Sequence, residues 1–179
     1  MTALEDPVFA LDPAYVAHLR AERGLELRFI EDDDFEGYLH LLGQLTTVTP
    51  LTREAFSLIL RRQRTQQSSC TLVLLADGRL VATAKVVIED KLSRGGSRVA
   101  RLEDVVVCAA SRKGGFGRLV VEEAFRVAAR AGAWRVNFAA RAEAVTFYEH
   151  IADGRITRAK DQMYELVLGS WLQAGAGPQ

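Results

Sequence analysis

Two hydrophobic periods alternate along this chain. The runs Thr71 to Ala76 and Leu80 to Glu89 are apolar and flank Asp77-Gly78, a dipeptide suited to a two-residue hairpin turn. Leu25 to Ile30, Val99 to Val107 and Trp134 to Ala139 read as further strands, with a basic loop from Lys91 to Arg98 ahead of the long one. Helical spacing appears in between. Asp32-Asp33-Asp34 opens a helix carrying Phe35, Tyr38, Leu39 and Leu42, and Thr52 opens another with Phe56, Ile59 and Leu60 on one face. Phe116, Leu119, Val120, Ala124, Val127 and Ala128 recur at the same spacing until Gly132 closes the helix. Asp12-Pro13 has the form of an N-cap and first helical residue, for a helix running to Arg23 and ending at Gly24. Glu143 to His150 reads as a short helix and Arg155 to Leu168 as one or two strands. The order predicts an α/β chain with a mixed central sheet of about 6–7 strands flanked by helices. Residues 1–24 form a helical extension, 25–168 the main domain and 169–179 a tail.

Composition narrows the function without choosing it. The 179 residues suit one domain with a full core. Lys plus Arg number 23 and Asp plus Glu 23, so net charge gives no reason to expect nucleic acid or an anionic membrane as partner. No apolar run is long enough for a membrane span, and the acidic N-terminus does not read as a signal peptide. An intracellular protein is expected, cytoplasmic by default with an organelle left open. Cys70 and Cys108 are far apart, as reduced thiols would be. The three histidines lack ligand spacing, so no metal is expected.

Arg112-Lys113-Gly114-Gly115-Phe116-Gly117 lies between the long strand and the helix that follows. A glycine-rich turn at a helix start aims several N–H groups one way, along the positive end of the helix dipole. Glycines leave room for phosphate oxygens at the main chain. That is a seat for a pyrophosphate. The dinucleotide and NTPase glycine signatures are both absent. Arg-x-x-Gly-x-Gly after a mid-chain strand instead resembles the acetyl-CoA loop of the GCN5-related N-acetyltransferases.

Acyl transfer from a thioester to an amine needs the reactants held together, a neutral amine, a donor for the oxyanion and a proton for the departing thiolate. Tyr148 suits the last role, or it is core packing beside Phe147. Glu103 and Asp104 interrupt an apolar strand and, as neighbours, point to opposite faces. One of them faces a cleft, or the pair is structural and bonded to Arg101 or Lys91. Lys91, Arg94 and Arg98 hold a substrate phosphate or are simply solvated.

Gly43-Gln44-Leu45-Thr46-Thr47, Leu80 to Ala84, Val87 to Lys91, Arg101 to Val107 and Phe147-Tyr148-Glu149 occur in the order seen in eukaryotic glucosamine-6-phosphate N-acetyltransferases. The resemblance covers about residues 26–168. It implies a homodimer with acetyl-CoA splayed between two parallel strands. By position, Val105, Val106 and Val107 would bond the pantetheine and Arg112, Lys113, Gly114, Gly115, Phe116 and Gly117 the pyrophosphate. His150 would lie near the cofactor phosphates and Tyr148 would serve the thiolate. Thr46, Lys91, Arg94, Glu103 and Asp104 match positions that hold the sugar phosphate, and Trp134 and Arg135 a further substrate-side pair. The implied reaction acetylates the amine of glucosamine 6-phosphate by direct transfer in a ternary complex, with no metal.

Four departures stand out, one of them Ile151-Ala152-Asp153-Gly154 in place of the family's Cys-Gly-Phe or Phe-Gly-Tyr after the short helix. Ala139 replaces an acidic residue beside the substrate amine, which leaves Glu103, water or solvent to take the proton. Ala144 replaces a common Asn. Glu165 or Leu166 falls where a basic residue is usual, with Arg155, Arg158 or Lys160 as substitutes. The rival readings are an N-acetyltransferase for another amine and a non-catalytic CoA-binding subunit.

Overall fold

The computed structural model describes residues 8–153 and 155–158, and the chain divides into two compact units, residues 1–145 and 146–179. In the first unit five strands form one sheet in sequence order: β1 (Leu25–Phe29), β2 (Ser69–Ala76), β3 (Arg79–Lys91), β4 (Ser97–Val107) and β5 (Ala133–Asn137). The first four pair antiparallel, and β5 runs parallel to β4. Helices are α1 (Pro13–Arg23), α2 (Phe35–Leu42), α3 (Arg53–Gln66) and α4 (Phe116–Arg130), with α5 (Val145–Ile151) running into the second unit.

The expected mixed sheet flanked by helices is present, but with five strands among the described residues instead of 6–7. Residues 155–158 are not strand. The remainder of the expected last strands, 159–168, and the tail lie outside the described residues. The basic loop is also shorter than expected. Lys91 ends β3 and Arg98 belongs to β4, because the two strands pair as far as Lys91↔Ser97.

Local chemistry explains the elements. Asp77 and Gly78 both take positive φ, +48° and +71°, as a two-residue hairpin turn matched to the strand twist requires. In β2, Leu72, Val73 and Leu74 have no exposed surface, so both sheet faces are covered there. That is why β2 reads as an unbroken apolar run. On one face α2 and α3 bury Tyr38, Phe56 and Leu60 against Ile30, Val73 and Leu75. α4 packs along β2, β3, β4 and β5, burying Val120, Val121, Ala124, Val127 and Ala128. The link from β1 to α2 is fixed by Arg28, whose Nη1 and Nη2 donate to Asp34 at 2.6 and 2.9 Å. Burial alone would raise the Asp34 carboxyl, but the Arg28 fork and the Glu31 N–H overcome it and hold it below the usual range. This support exists above the ordinary carboxylate range and is lost as pH falls through the lowered value.

α1 is packed rather than appended. The Asp12 carboxylate accepts from the Ala14 and Tyr15 N–H groups, Pro13 opens the helix, and Gly24 ends it at φ +62°. Against α4, Asp12 pairs with Arg130 at 2.8 Å, and the Arg126 guanidinium lies 4.1 Å from the Tyr15 ring centre. The Asp12 N–H donates at 2.7 Å to Glu123, a fully buried carboxylate that also accepts from Arg126 and Arg130. Leu19 sits in the core at 1% exposure. Leu19→Ala is expected to cost about 2–4 kcal/mol in chemical denaturation, as for other buried leucines. A cost no larger than that of an exposed substitution would mean that α1 adds nothing to the core.

Candidate functional site

β4 changes its surroundings halfway along. Thr83 faces Val106 and Lys85 faces Glu103, so Ala84 alone spans Asp104 and Val105. This is a β-bulge, and Asp104 takes φ +50° within it. The simple alternation expected for Glu103 and Asp104 therefore stops at the bulge. Parallel pairing with β5 covers only Arg98 to Arg101, against Ala133 to Asn137. From Leu102 onward no described strand pairs with that edge of β4, which leaves main-chain groups of the Val105, Val106 and Val107 segment available to an extended ligand.

The free half of β4 leads directly into the glycine turn. A 3-10 turn runs from Ala109 to Gly114, including Arg112 and the backbone of Lys113, and Gly115 follows at φ +74°. A Cβ on Gly115 would meet nothing within 4 Å, so glycine is required there by conformation and not by crowding. Gly114 is the opposite case. A Cβ there would come within 2.7 Å of the Phe116 ring. Gly117 is buried in the first turn of α4. No side chain caps α4 and no acid lies in its first turn. The Leu119 N–H already bonds the Gly115 carbonyl, which leaves the N–H groups of residues 116–118 without an acceptor within the helix. Arg112 and Arg118 are exposed beside them.

The structure divides the expected substrate residues into two groups. Glu103 is ion-paired at mid-strand with Lys85 (3.5 Å) and Arg101 (3.2 Å). The Arg101 contact agrees with the structural alternative, while Lys85 stands where Lys91 had been the other candidate. Lys91 lies at the far end of the β3–β4 hairpin and pairs with Glu89. Six residues separate it from Lys85, or about 20 Å of strand. At that end Arg94 lies 5.7 Å and Arg135 lies 4.8 Å from the ring centre of Trp134, which is 55% exposed. Thr46 is exposed on the turn after α2, whose Gln44 accepts the Ala109 N–H at 2.7 Å and reaches the Cys108 sulfur. Thr46 therefore sits beside the end of β4 and not with Lys91 and Arg94. Ala139 is exposed two residues beyond β5.

Tyr148 and His150 lie on α5 in the second unit. Tyr148 is 7% exposed and its ring meets Phe147 edge-on at 5.0 Å. Burial raises its phenol above the usual value, which keeps it a proton donor. The His150 Nδ1 lies 2.6 Å from the Thr146 carbonyl. Both cysteines are free. Burial pushes the Cys70 thiol up to about 12, whereas Cys108, at the start of the glycine turn, is only half-buried. Among the described residues no group of three or more His, Cys, Asp or Glu is arranged to hold a metal ion. No described helix is long and apolar enough to cross a membrane.

Two residues, Lys85 and Arg23, went unnoticed in the sequence, and a third, Gln44, was quoted only as part of a motif and given no role. Lys85 is found only through strand register, Gln44 only through the contact between the turn after α2 and Ala109. Arg23 donates to the Gly114 carbonyl at 3.0 Å across 91 residues, a partnership that no local pattern announces.

The family described as "Acetyltransferase (GNAT) family" matches residues 28–152. A glucosamine 6-phosphate N-acetyltransferase of Trypanosoma brucei brucei is 31% identical over 71% of this chain and 87% of its own length. One from Oryza sativa subsp. japonica is 38% identical over 70% and 76%. Among solved structures, glucosamine-6-phosphate N-acetyltransferase from Arabidopsis thaliana superposes with a TM-score of 0.73 at 28% identity, covering 79% of this chain and 97% of that one. Sheet, helices and glycine turn thus occur in a chain alike along most of its length to these enzymes, and the chain belongs to the acetyltransferase (GNAT) family.

Proposed function

We propose that this protein transfers the acetyl group of acetyl-CoA to the amine of glucosamine 6-phosphate. The observation that carries the reading is the continuity of the free half of β4 with the uncapped, acid-free start of α4. Pantetheine amides suit an unpaired strand edge, and a pyrophosphate suits N–H groups at a helix start. Likeness to named glucosamine 6-phosphate N-acetyltransferases supports the choice of amine.

In this reading the sugar amine, once neutral, attacks the thioester carbonyl carbon. The C–N bond forms, the C–S bond breaks, and the thiolate takes a proton from Tyr148. Ala139 offers no carboxylate, so the amine proton leaves to Glu103, water or solvent. Asp104 and Thr46 sit at the same end of the site as donors or acceptors for the sugar. In the second cluster, Lys91 lies six positions along β3 from Lys85, the partner of Glu103, or about 20 Å of strand. One sugar would meet both Glu103 and Lys91 most simply if Lys91 came from another copy of the chain, which favours a homodimer. His150 is assigned to the cofactor phosphates.

The direct test is thiol release from acetyl-CoA with a panel of amino sugars, phosphorylated and not. The phosphorylated sugar should be preferred, and equal use of the two forms would remove the phosphate from the proposal. Arg94→Ala should raise KM for glucosamine 6-phosphate, by about ten-fold or more for a lost charge-assisted contact. Mixing Arg94→Ala with Glu103→Gln subunits should restore part of the activity, since a mixed dimer keeps one intact pair. No restoration would place both groups in one subunit's service.

Gly115→Val should weaken CoA binding strongly, since a β-branched residue resists positive φ and obstructs the seat. Calorimetry that finds unchanged affinity in a folded variant would remove the turn from the cofactor site. Tyr148→Phe should lower kcat by up to about 10²-fold with little effect on CoA affinity if the phenol is the general acid. An unchanged kcat where chemistry limits the rate assigns Tyr148 to packing.

A further inference from the structure

The turn that seats the pyrophosphate contains one peptide bond flanked on both sides by glycine, Gly114-Gly115. Each glycine has its own cause. A Cβ at 114 would come within 2.7 Å of the Phe116 ring, and φ +74° strains any side chain at 115. Together they leave a peptide plane that can rotate with little steric resistance, because no Cβ on either side opposes it. In a trans peptide the carbonyl of one residue and the N–H of the next point in opposite directions. The orientation of the Gly114 carbonyl therefore decides where the Gly115 N–H points. If the plane flips, the end of the 3-10 turn changes shape and the start of α4 moves with it.

Arg23 holds that carbonyl. Its Nη2 donates to Gly114 O at 3.0 Å from the last residue of α1. α1 lies outside the span that matches the family, residues 28–152. It is nevertheless fixed to α4, the helix that begins at this turn, by the Asp12–Arg130 pair, the Asp12 N–H on buried Glu123, the Arg126–Tyr15 stack and the Tyr15 hydroxyl on Leu119 O at 3.5 Å. The guanidinium is thus carried on a helix docked beside the seat it serves.

We propose that Arg23 is a positioning residue for the acyl donor: by holding the Gly114 carbonyl it fixes the turn from which the N–H groups of residues 116–118 are presented to the cofactor pyrophosphate. The inference rests on the reading of the glycine turn as the CoA site. It assigns to α1 a part in cofactor affinity, beyond its part in the core.

The test uses the full chain with Arg23→Met, which keeps the aliphatic stem and removes the donors, and Arg23→Lys, which keeps a cationic donor. CoA and 3′-dephospho-CoA are titrated calorimetrically, and acetyl-CoA is compared with acetyl-pantetheine, which has no pyrophosphate, as acyl donor. Arg23→Met should bind CoA and 3′-dephospho-CoA more weakly by the same factor, about ten-fold. It should raise KM for acetyl-CoA with kcat unchanged and use acetyl-pantetheine as well as the wild type does. Arg23→Lys should recover part of the affinity. Unchanged CoA binding by Arg23→Met overturns the proposal. So does an equal loss with acetyl-pantetheine, which would report damage to the fold. A loss confined to CoA and absent with 3′-dephospho-CoA also overturns it, since the guanidinium would then touch the 3′-phosphate directly. Failure of the wild type to bind CoA would instead overturn the reading of the turn itself, and the inference with it.

Discussion

Among the described residues strand β4 is paired on both edges for only part of its length, and the reading of the site builds on that. Over Arg98 to Arg101 it has β3 on one side and β5 on the other. Beyond that point β5 ends, and no described strand pairs with that edge of β4 as far as Val107. An unpaired edge inside a sheet is costly unless something satisfies it. An extended ligand with amides of its own can do so. The bulge at Asp104 adds local bending and twist at the same place, and the strand then delivers the chain to a helix start with unspent N–H groups.

The acidic and basic residues gathered around β4 have different standing. Glu103 is held between Lys85 and Arg101, so its carboxylate is oriented by partners on two strands. Such a group is well placed to fix a substrate. Lys91 and Arg94 are anchored more loosely, by an exposed carboxylate and by the face of an exposed tryptophan. Surface pairs of that kind contribute little to stability, so these side chains are free to change partners when an anion arrives.

Much of the architecture was legible from local signals. Asp77-Gly78 fixed one hairpin, Asp12-Pro13 and Gly24 bounded one helix, and the apolar spacing of residues 116–128 identified the helix behind the glycine turn. Those features depend on residues close in sequence. The bulge was not legible, because nothing in Glu103-Asp104-Val105 states how many residues Ala84 must face across the ladder. Lys85 was overlooked for the same reason, since register alone makes it the partner of Glu103. The grouping of Lys91 and Arg94 with Glu103 came from a family pattern written along one chain, which does not show how far apart these residues lie on a long hairpin.

The docking of α1 also sets an order of events. Its ties to α4 and to the glycine turn span 91, 104 and 111 residues of sequence. A ribosome releases the N-terminal helix first, yet its partners emerge only after the whole hairpin and most of the sheet have been made. Contacts so distant close late, because the entropy of the intervening loop must first be met by other structure. The ties that hold α1 beside the glycine turn are therefore among the last to form, although α1 also packs on β1, its neighbour in sequence.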